Sequence, residues 1–352
     1  MTTHYYLGAN TPNGFYSLYD KYLREDDRLY IIKGSPGCGK STFMKTLAKR
    51  MAGVVSEIEL IHCSGDPESL DGVYFPELHV AYVDGTAPHV IEPQFAGVSE
   101  NYINFGDALD MDALWESFDE IKSINYKYKS EYKKAYDAFS AAKASQTGIF
   151  DELIDNNVRE TVIKKATRLA KREFGKVKED GDVKERFTDA VTCKGFVHRY
   201  DTIAELADRV YLIDTSFGLN YLFTETLAKI LTDRNRNMTI CYDPFDPDKI
   251  AHIIVPEARA AIVSRNGKAF PDWKARTIHL DSIPSRSGVK ALRERIRSRR
   301  KIWDELIHDG ISHLAQAKAY HDELEALYHP HADFSLADSL IEKHVEILKA
   351  RV

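Results

Sequence analysis

The chain has 352 residues, 43% of them hydrophobic, enough for two or three domains with a sizeable core. A formal charge of −6 argues against a surface built throughout for nucleic acid, and the four scattered cysteines, Cys38, Cys63, Cys193 and Cys241, argue against a disulfide framework or a zinc site. The N-terminus lacks a basic start followed by an apolar stretch, and no apolar run approaches the roughly 20 residues needed to span a bilayer. The expectation is therefore a cytoplasmic protein without a membrane span.

In chain order, Gly8–Tyr16 carries the turn signals Thr11-Pro12 and Asn13-Gly14, and Ser17–Leu23 reads as a short helix. This lead-in is either a lid over a ligand or a packed edge. Arg28–Lys33 reads as a short buried strand. Phe43, Leu47 and Met51 recur at helical spacing just beyond it. Between them lies Gly34-Ser35-Pro36-Gly37-Cys38-Gly39-Lys40-Ser41-Thr42, which fits the phosphate-binding pattern G-x-x-x-x-G-K-[ST] (Walker A). Strand, glycine-rich turn and helix come in the order the chemistry requires. Glycines let backbone N–H groups approach phosphate oxygens at the positive end of a helix. Lys40 would reach the terminal phosphates, and the Ser41 hydroxyl would ligate Mg²⁺.

Ile58–Cys63 reads as a strand, Ser64–Gly72 as turn and short helix, and Leu78–Gly85 as a strand delivering Asp84. An apolar strand ending in an acid is the pattern of a Walker B element, which places Asp84 near the metal. In the loop beyond it, Glu92 is a candidate to position or activate water, and Thr86 and His89 are candidate phosphate contacts. The bland alternative is a loop stiffened by Ala87-Pro88 and Glu92-Pro93. Asn101–Phe105 is a further strand. A long amphipathic helix follows from Leu109 to Phe139. The chain turns at Gln146-Thr147-Gly148 and a second helix runs from Leu153 to Phe174, which together predict a helical hairpin. Its tyrosines read as packing residues before base-stacking ones.

The second half repeats the first. Thr11–Phe15 recurs as Thr192–Phe196 and Arg28–Ile32 as Arg209–Ile213, both at an offset of 181; Asp66-Pro67 recurs as Asp246-Pro247 at an offset of 180. The copy of the glycine-rich segment, Asp214–Phe223, keeps a glycine at Gly218 but carries Asn220, Tyr221 and Leu222 where Gly39, Lys40 and Ser41 stand. Ser264 stands in the place of Asp84. This half is expected to keep the αβ core without binding a nucleoside triphosphate, Asp214 repelling phosphate. The runner-up is another ligand held by Arg265 or Arg259. In the helical tail, residues 286–301 carry eight basic residues against Glu294 alone. A solvated face, a patch for nucleic acid or an acidic partner, and an arginine donated to the Gly34–Thr42 site all fit that stretch. His329-Pro330-His331 reads as a helix break rather than a metal site.

With Gly34–Thr42, Ile61–Ser64 and Asp84–His89 in view, the chain resembles the P-loop NTPase superfamily. It is similar more closely to bacterial ATPase or ATP-binding proteins built of two P-loop-like halves with helical appendages. The resemblance implies ATP binding and two intact loops; this chain departs from it in the second.

The expected fold is α/β, with two tandem doubly wound, mostly parallel sheets, each followed by a helical hairpin. The expected organisation is a nucleotide-binding domain at 1–106, a helical appendage at 107–175, a linker at 176–186, a degenerate copy at 187–285 and a helical C-terminal appendage at 286–352. The expected function is a slow Mg²⁺-dependent ATPase, or NTPase, with a conformational output. Its alternatives are a small-molecule or nucleotide kinase and a nucleotide-gated module that grips nucleic acid or protein. Compatible partners are the triphosphate, a nucleic acid or protein at 286–301, and a second copy of the chain.

Overall fold

The computed structural model describes residues 1–23, 26–88, 90–265, 270–271 and 273–352. Its first repeat runs β1 (Thr2–Tyr6), β2 (Gly8–Thr11), β3 (Gly14–Ser17), β4 (Arg28–Lys33), α1 (Lys40–Met51), β5 (Ile58–His62), β6 (Leu70–Phe75), β7 (Val80–Asp84), β8 (Glu100–Asn104), α2 (Met111–Glu116), α3 (Phe118–Gln146) and α4 (Asn156–Glu173). The second runs β9 (Val183–Arg186), β10 (Asp189–Thr192), β11 (Gly195–His198), α5 (Tyr200–Leu206), β12 (Arg209–Asp214), α6 (Leu219–Thr232), β13 (Met238–Tyr242), β14 (Ile250–Val255), β15 (Ala260–Ser264), β16 (Ala275–His279), α7 (Arg286–Tyr328) and α8 (Phe334–Lys349). No helix among the described residues is long and apolar enough to cross a membrane.

Each repeat builds a six-stranded sheet of the same topology. The orders are β1-β5-β6-β7-β4-β8 and β9-β13-β14-β15-β12-β16. The duplication extends to fine detail. Both sheets shift register at one place, between Ile61 and His62 and between Cys241 and Tyr242. Both carry a left-handed residue before the strand that follows, His79 (φ 54°) and Arg259 (φ 43°). In both β-hairpins a threonine closes the turn: the hydroxyls of Thr11 and Thr192 donate to the carbonyls of Gly14 and Gly195.

The expectation of mostly parallel sheets holds in its coarse form, three of the five strand pairs in each sheet being parallel. The sheets are mixed, because β6 and β14 each run antiparallel to both neighbours. Leu70–Phe75 is buried along its whole length, so it shows no alternation, and Asp71-Gly72 inside it carries a turn signature. That is why the stretch reads as turn and short helix. The N-terminal residues add the edge strand β1, paired parallel to β5, and the expected helix at Ser17–Leu23 shrinks to a single turn at Tyr19–Lys21.

The described chain forms two compact units, Met1–Asp137 with Ala190–Val197 and Asp309–Val352, and Ala138–Asp189 with His198–His308. Each unit therefore draws helices from both repeats. In the first, α1 buries Phe43, Leu47 and Met51 among Tyr82 of its own sheet, Phe105 just beyond β8, and Ile341, Val345 and Leu348 of α8. The Tyr82 hydroxyl and His344 Nδ1 lie 3.1 Å apart inside this core. Burial, with Lys343 nearby, lowers the His344 pKa to about 4. In the second, α6 buries Phe223, Leu227 and Leu231 against Val162, Ala166 and Leu169 of α4. Each buried valine, leucine, isoleucine, methionine or phenylalanine among them contributes roughly 1.5–3 kcal/mol by leaving water.

Candidate functional site

In the first unit β4 lies between β7 and β8, and Ile32 pairs with Asp84 in the parallel register. The Gly34–Gly39 loop therefore leaves the sheet beside the Asp84 carboxylate. Gly37 (φ 74°) and Gly39 (φ 95°) take left-handed backbone, which side-chain-bearing residues adopt only with strain. Gly39 begins α1 without any side-chain cap, so the first N–H groups of the helix point out of the loop at the positive end of its dipole.

Lys40, the first residue of α1, folds back over the loop. Its Nζ donates to the Gly34 and Ser35 carbonyls at 3.0 and 2.8 Å and stands 3.7 Å from Asp84 Oδ2. Asp84 is oriented by the Thr86 N–H and hydroxyl, at 2.9 and 2.6 Å. The Ser41 hydroxyl oxygen accepts from the Leu70 N–H at 2.9 Å. Next to Leu70 is Asp71, 6% exposed, which precedes the Gly72–Val83 pair as Asp84 follows it, so both lie at the same end of β6 and β7. Lys40, Ser41, Asp71 and Asp84 all line one cleft of about 380 Å³.

The far wall of that cleft comes from α7. Lys318, His321 and Glu325 stand on one face of the helix, with His329 and Phe334 beyond its end. Lys318 lies 3.5 Å from Asp66 Oδ2, and His321 Nδ1 lies 3.7 Å from Glu325 Oε1. Burial pushes the His321 pKa down, against the pull of Glu325. Burial, reinforced by Asp71, pushes the Cys63 thiol well up, so it stays protonated.

Gly37 packs tightly against this wall: a Cβ there would stand 3.1 Å from the Glu325 carbonyl oxygen. Gly37→Ala is expected to cost about 1–3 kcal/mol. Gly14→Ala has a similar backbone (φ 99°) and open space around it, so it isolates the conformational cost. Thermal denaturation of the two variants should show the larger loss at Gly37; equal losses would mean that α7 does not press on the loop.

Of the residues singled out in the sequence, Pro36–Thr42 and Asp84 meet in the cleft, and Gly34 and Ser35 serve it by holding Lys40. Glu92 is not among the lining residues. Its carboxylate is exposed and bound to Lys33 Nζ at 3.1 Å and to the Tyr102 hydroxyl. Thr86 is taken up in orienting Asp84, and His89 lies outside the described residues. Of the basic 286–301 stretch, which belongs to the second unit, Arg295 pairs with Glu152 and Arg299 donates to the Ser145 carbonyl, while Arg293, Arg297 and Arg300 are exposed. His329–His331 is a single turn separating α7 from α8, the break the sequence predicts.

The sister segment in the second unit is closed by its own side chains. There α6 starts at Leu219, two positions earlier than α1 on the repeat alignment, because Asn220 winds into the helix where Gly39 turns left-handed. Tyr221, in the place of Lys40, donates to Asp243 at 2.8 Å, and Asn220 donates to Ser264 Oγ at 3.2 Å. Ser264 replaces Asp84 and donates to the carbonyl of Ala251, which replaces Asp71. Arg265 lies 3.9 Å from Asp214. Arg259 sits at the opposite end of β15, held by both oxygens of Asp208, and so cannot serve a ligand at this loop.

Asp71, His321 and Glu325 escape a reading by sequence. Asp71 hides in a turn-like dipeptide, although the replacement of Asp71 and Asp84 by Ala251 and Ser264 pairs it with Asp84 once the repeats are aligned. His321 and Glu325 sit in a helix with no local motif. No protein-family model matches the chain, and no curated protein or solved structure is significantly similar to it.

Proposed function

We propose that the protein binds a nucleoside triphosphate, ATP first among them, with Mg²⁺ in the first-unit cleft and hydrolyses it slowly. The observation that carries this reading is the convergence of Lys40, the uncapped N-terminus of α1, Ser41 and Asp84 on one cleft. Backbone N–H groups and an ammonium suit polyphosphate oxygens. The donors offered by Ser41, Asp84 and Asp71 are all oxygen, and two of them are carboxylates, which fits a hard divalent cation. When bound, Mg²⁺ would neutralise phosphate charge. Lys40 would offset charge developing on the terminal phosphate, and the loop would fix the β- and γ-phosphates for attack by water. The sister unit, which lacks the lysine and both carboxylates, would serve the output rather than the chemistry.

The test is equilibrium binding of a fluorescent ATP analogue with Mg²⁺ and with EDTA, followed by γ-phosphate release. Saturable, Mg²⁺-strengthened binding and slow release of phosphate are expected; absence of binding at millimolar nucleotide would end the reading. A second reading, a nucleotide-gated grip on nucleic acid or an acidic protein, is favoured by the exposure of Arg293, Arg297 and Arg300. It requires phosphate release to rise when DNA, RNA or such a partner is added.

A further inference from the structure

We propose that His321 and Glu325 of α7 are the water-activating pair of this cleft, His321 as general base and Glu325 as the group that orients it. The inference rests on the nucleotide-hydrolysing reading and supplies a base that the sequence had sought in Glu92.

Both side chains line the same cleft as Lys40, four residues apart on one helical face. The helix is held at the loop, since the Glu325 backbone packs directly against Gly37. His321 Nδ1 is buried and takes no hydrogen bond among the described residues, and a Glu325 carboxylate oxygen stands 3.7 Å from it. The groups facing the imidazole are Lys40 from the loop, Tyr128 from α3, and Lys318, Asp322 and Glu325 from its own helix. Burial lowers the ring's pKa against the pull of Glu325, which favours the neutral form that accepts a proton.

The repeats supply an internal comparison. Lys318–Asp66 in the first unit matches Lys143–Asp246 in the second, which aligns α7 with α3 at an offset of 175. Lys318 therefore goes with the fold. At the same offset His321 falls on Gln146, the last residue of α3, and Glu325 on Phe150, beyond the Gly148 turn. Only over the intact loop does the helix run on, to Tyr328, and only there does it carry an imidazole and a carboxylate.

In the step itself the water oxygen bonds to the γ-phosphorus while the bond from that phosphorus to the β–γ bridging oxygen breaks. The electron pair leaves with the nucleoside diphosphate, and the water proton passes to the His321 imidazole and then to solvent.

The experiment measures kcat for γ-phosphate release and nucleotide Kd in His321→Gln, which restores the sister residue, and in Glu325→Gln. His321→Gln is expected to lower kcat by about 10²- to 10⁴-fold while Kd stays within about threefold. The fall of kcat at acid pH, below the ordinary histidine pKa of about 6.5, should vanish with the imidazole. Glu325→Gln should lower kcat less and displace that acid limb. Should His321→Gln not fold, Glu325→Gln and its pH profile decide. Wild-type turnover that survives in both variants overturns the pair alone. Wild-type protein that binds nucleotide without turnover overturns the hydrolytic reading and the pair with it.

Discussion

Lys40→Ala is expected to cut γ-phosphate release by about 10²- to 10³-fold and to weaken nucleotide binding, because it removes the ammonium that would face developing charge in a cleft largely shielded from water. The Lys40 side chain is 11% exposed, so no solvent ion takes its place cheaply. The variant also frees the Gly34 and Ser35 carbonyls, which the ammonium holds at 3.0 and 2.8 Å, so part of the effect will be a looser loop. Lys40→Arg separates the two contributions. It keeps the charge, but a planar guanidinium does not reproduce the compact fold-back of Nζ onto two carbonyls, and little activity should return. Radiolabelled phosphate release and calorimetric titration of nucleotide are the measurements. Unchanged binding and turnover in Lys40→Ala would remove the basis of the proposed function, since the sister unit already shows this scaffold with a tyrosine at the same position and a network that closes the loop.

His252→Leu is expected to destabilise the second unit by about 1–3 kcal/mol or more, because it strips a hydrogen-bond donor from a buried carboxylate. Asp189 and His252 are both fully buried, with His252 Nε2 2.9 Å from Asp189 Oδ2. The Ser264 N–H donates to His252 Nδ1 at 3.1 Å, which places the ring proton on Nε2, where it donates to the carboxylate. His198 Nδ1 stands 3.1 Å from the other Asp189 oxygen. Burial alone would raise the Asp189 carboxyl, but the two histidines hold it well below the ordinary carboxylate range. Burial alone would lower His198, but the Asp189 carboxylate raises it instead.

The two shifts act on opposite sides of a pH window. The depressed Asp189 contributes stability above its unfolded pKa of about 3.9, and that contribution is lost as pH falls. The raised His198 contributes fully below about 6.5, and its share is lost as pH rises through the folded value. The second unit should therefore gain most from this network between about pH 4 and 6.5, and His252→Leu should flatten the profile. Hydrogen exchange resolved by unit, at several pH values, measures both effects. Equal protection of the second unit in variant and wild type would mean that the network does not hold it. At the positions equivalent to Asp189 and His252 the first unit has Gly8 and Gly72, so its exchange serves as the control.

The candidate site was legible where its residues are contiguous. Gly34–Thr42 declares itself because phosphate binding by backbone needs glycines, a lysine and a hydroxyl at fixed spacing along one turn. Asp84 was legible as the acid at the end of an apolar strand, and its register with Ile32 puts it beside the loop. Glu92 was misplaced for the opposite reason. Nothing in a loop sequence says which way a carboxylate points, and here it points to Lys33 and Tyr102. Asp71 was lost because a wholly buried strand has no alternation to reveal it.

By itself the sequence determined the duplication, the turn at each hairpin, the long helical stretches and the asymmetry between the two glycine-rich segments. These follow from local spacing, from residue chemistry at a turn, and from comparison of the chain with itself. Tertiary structure alone decided the antiparallel middle strand of each sheet, the placing of Asp71 and Asp84 at the same end of β6 and β7, and the meeting of His321 and Glu325 with a loop some 280 residues earlier in the chain. Local pattern reports which face of an element is buried and not what it is buried against. For α7 the partner is a glycine loop from the other repeat, and only the folded chain brings that loop within reach of its side chains.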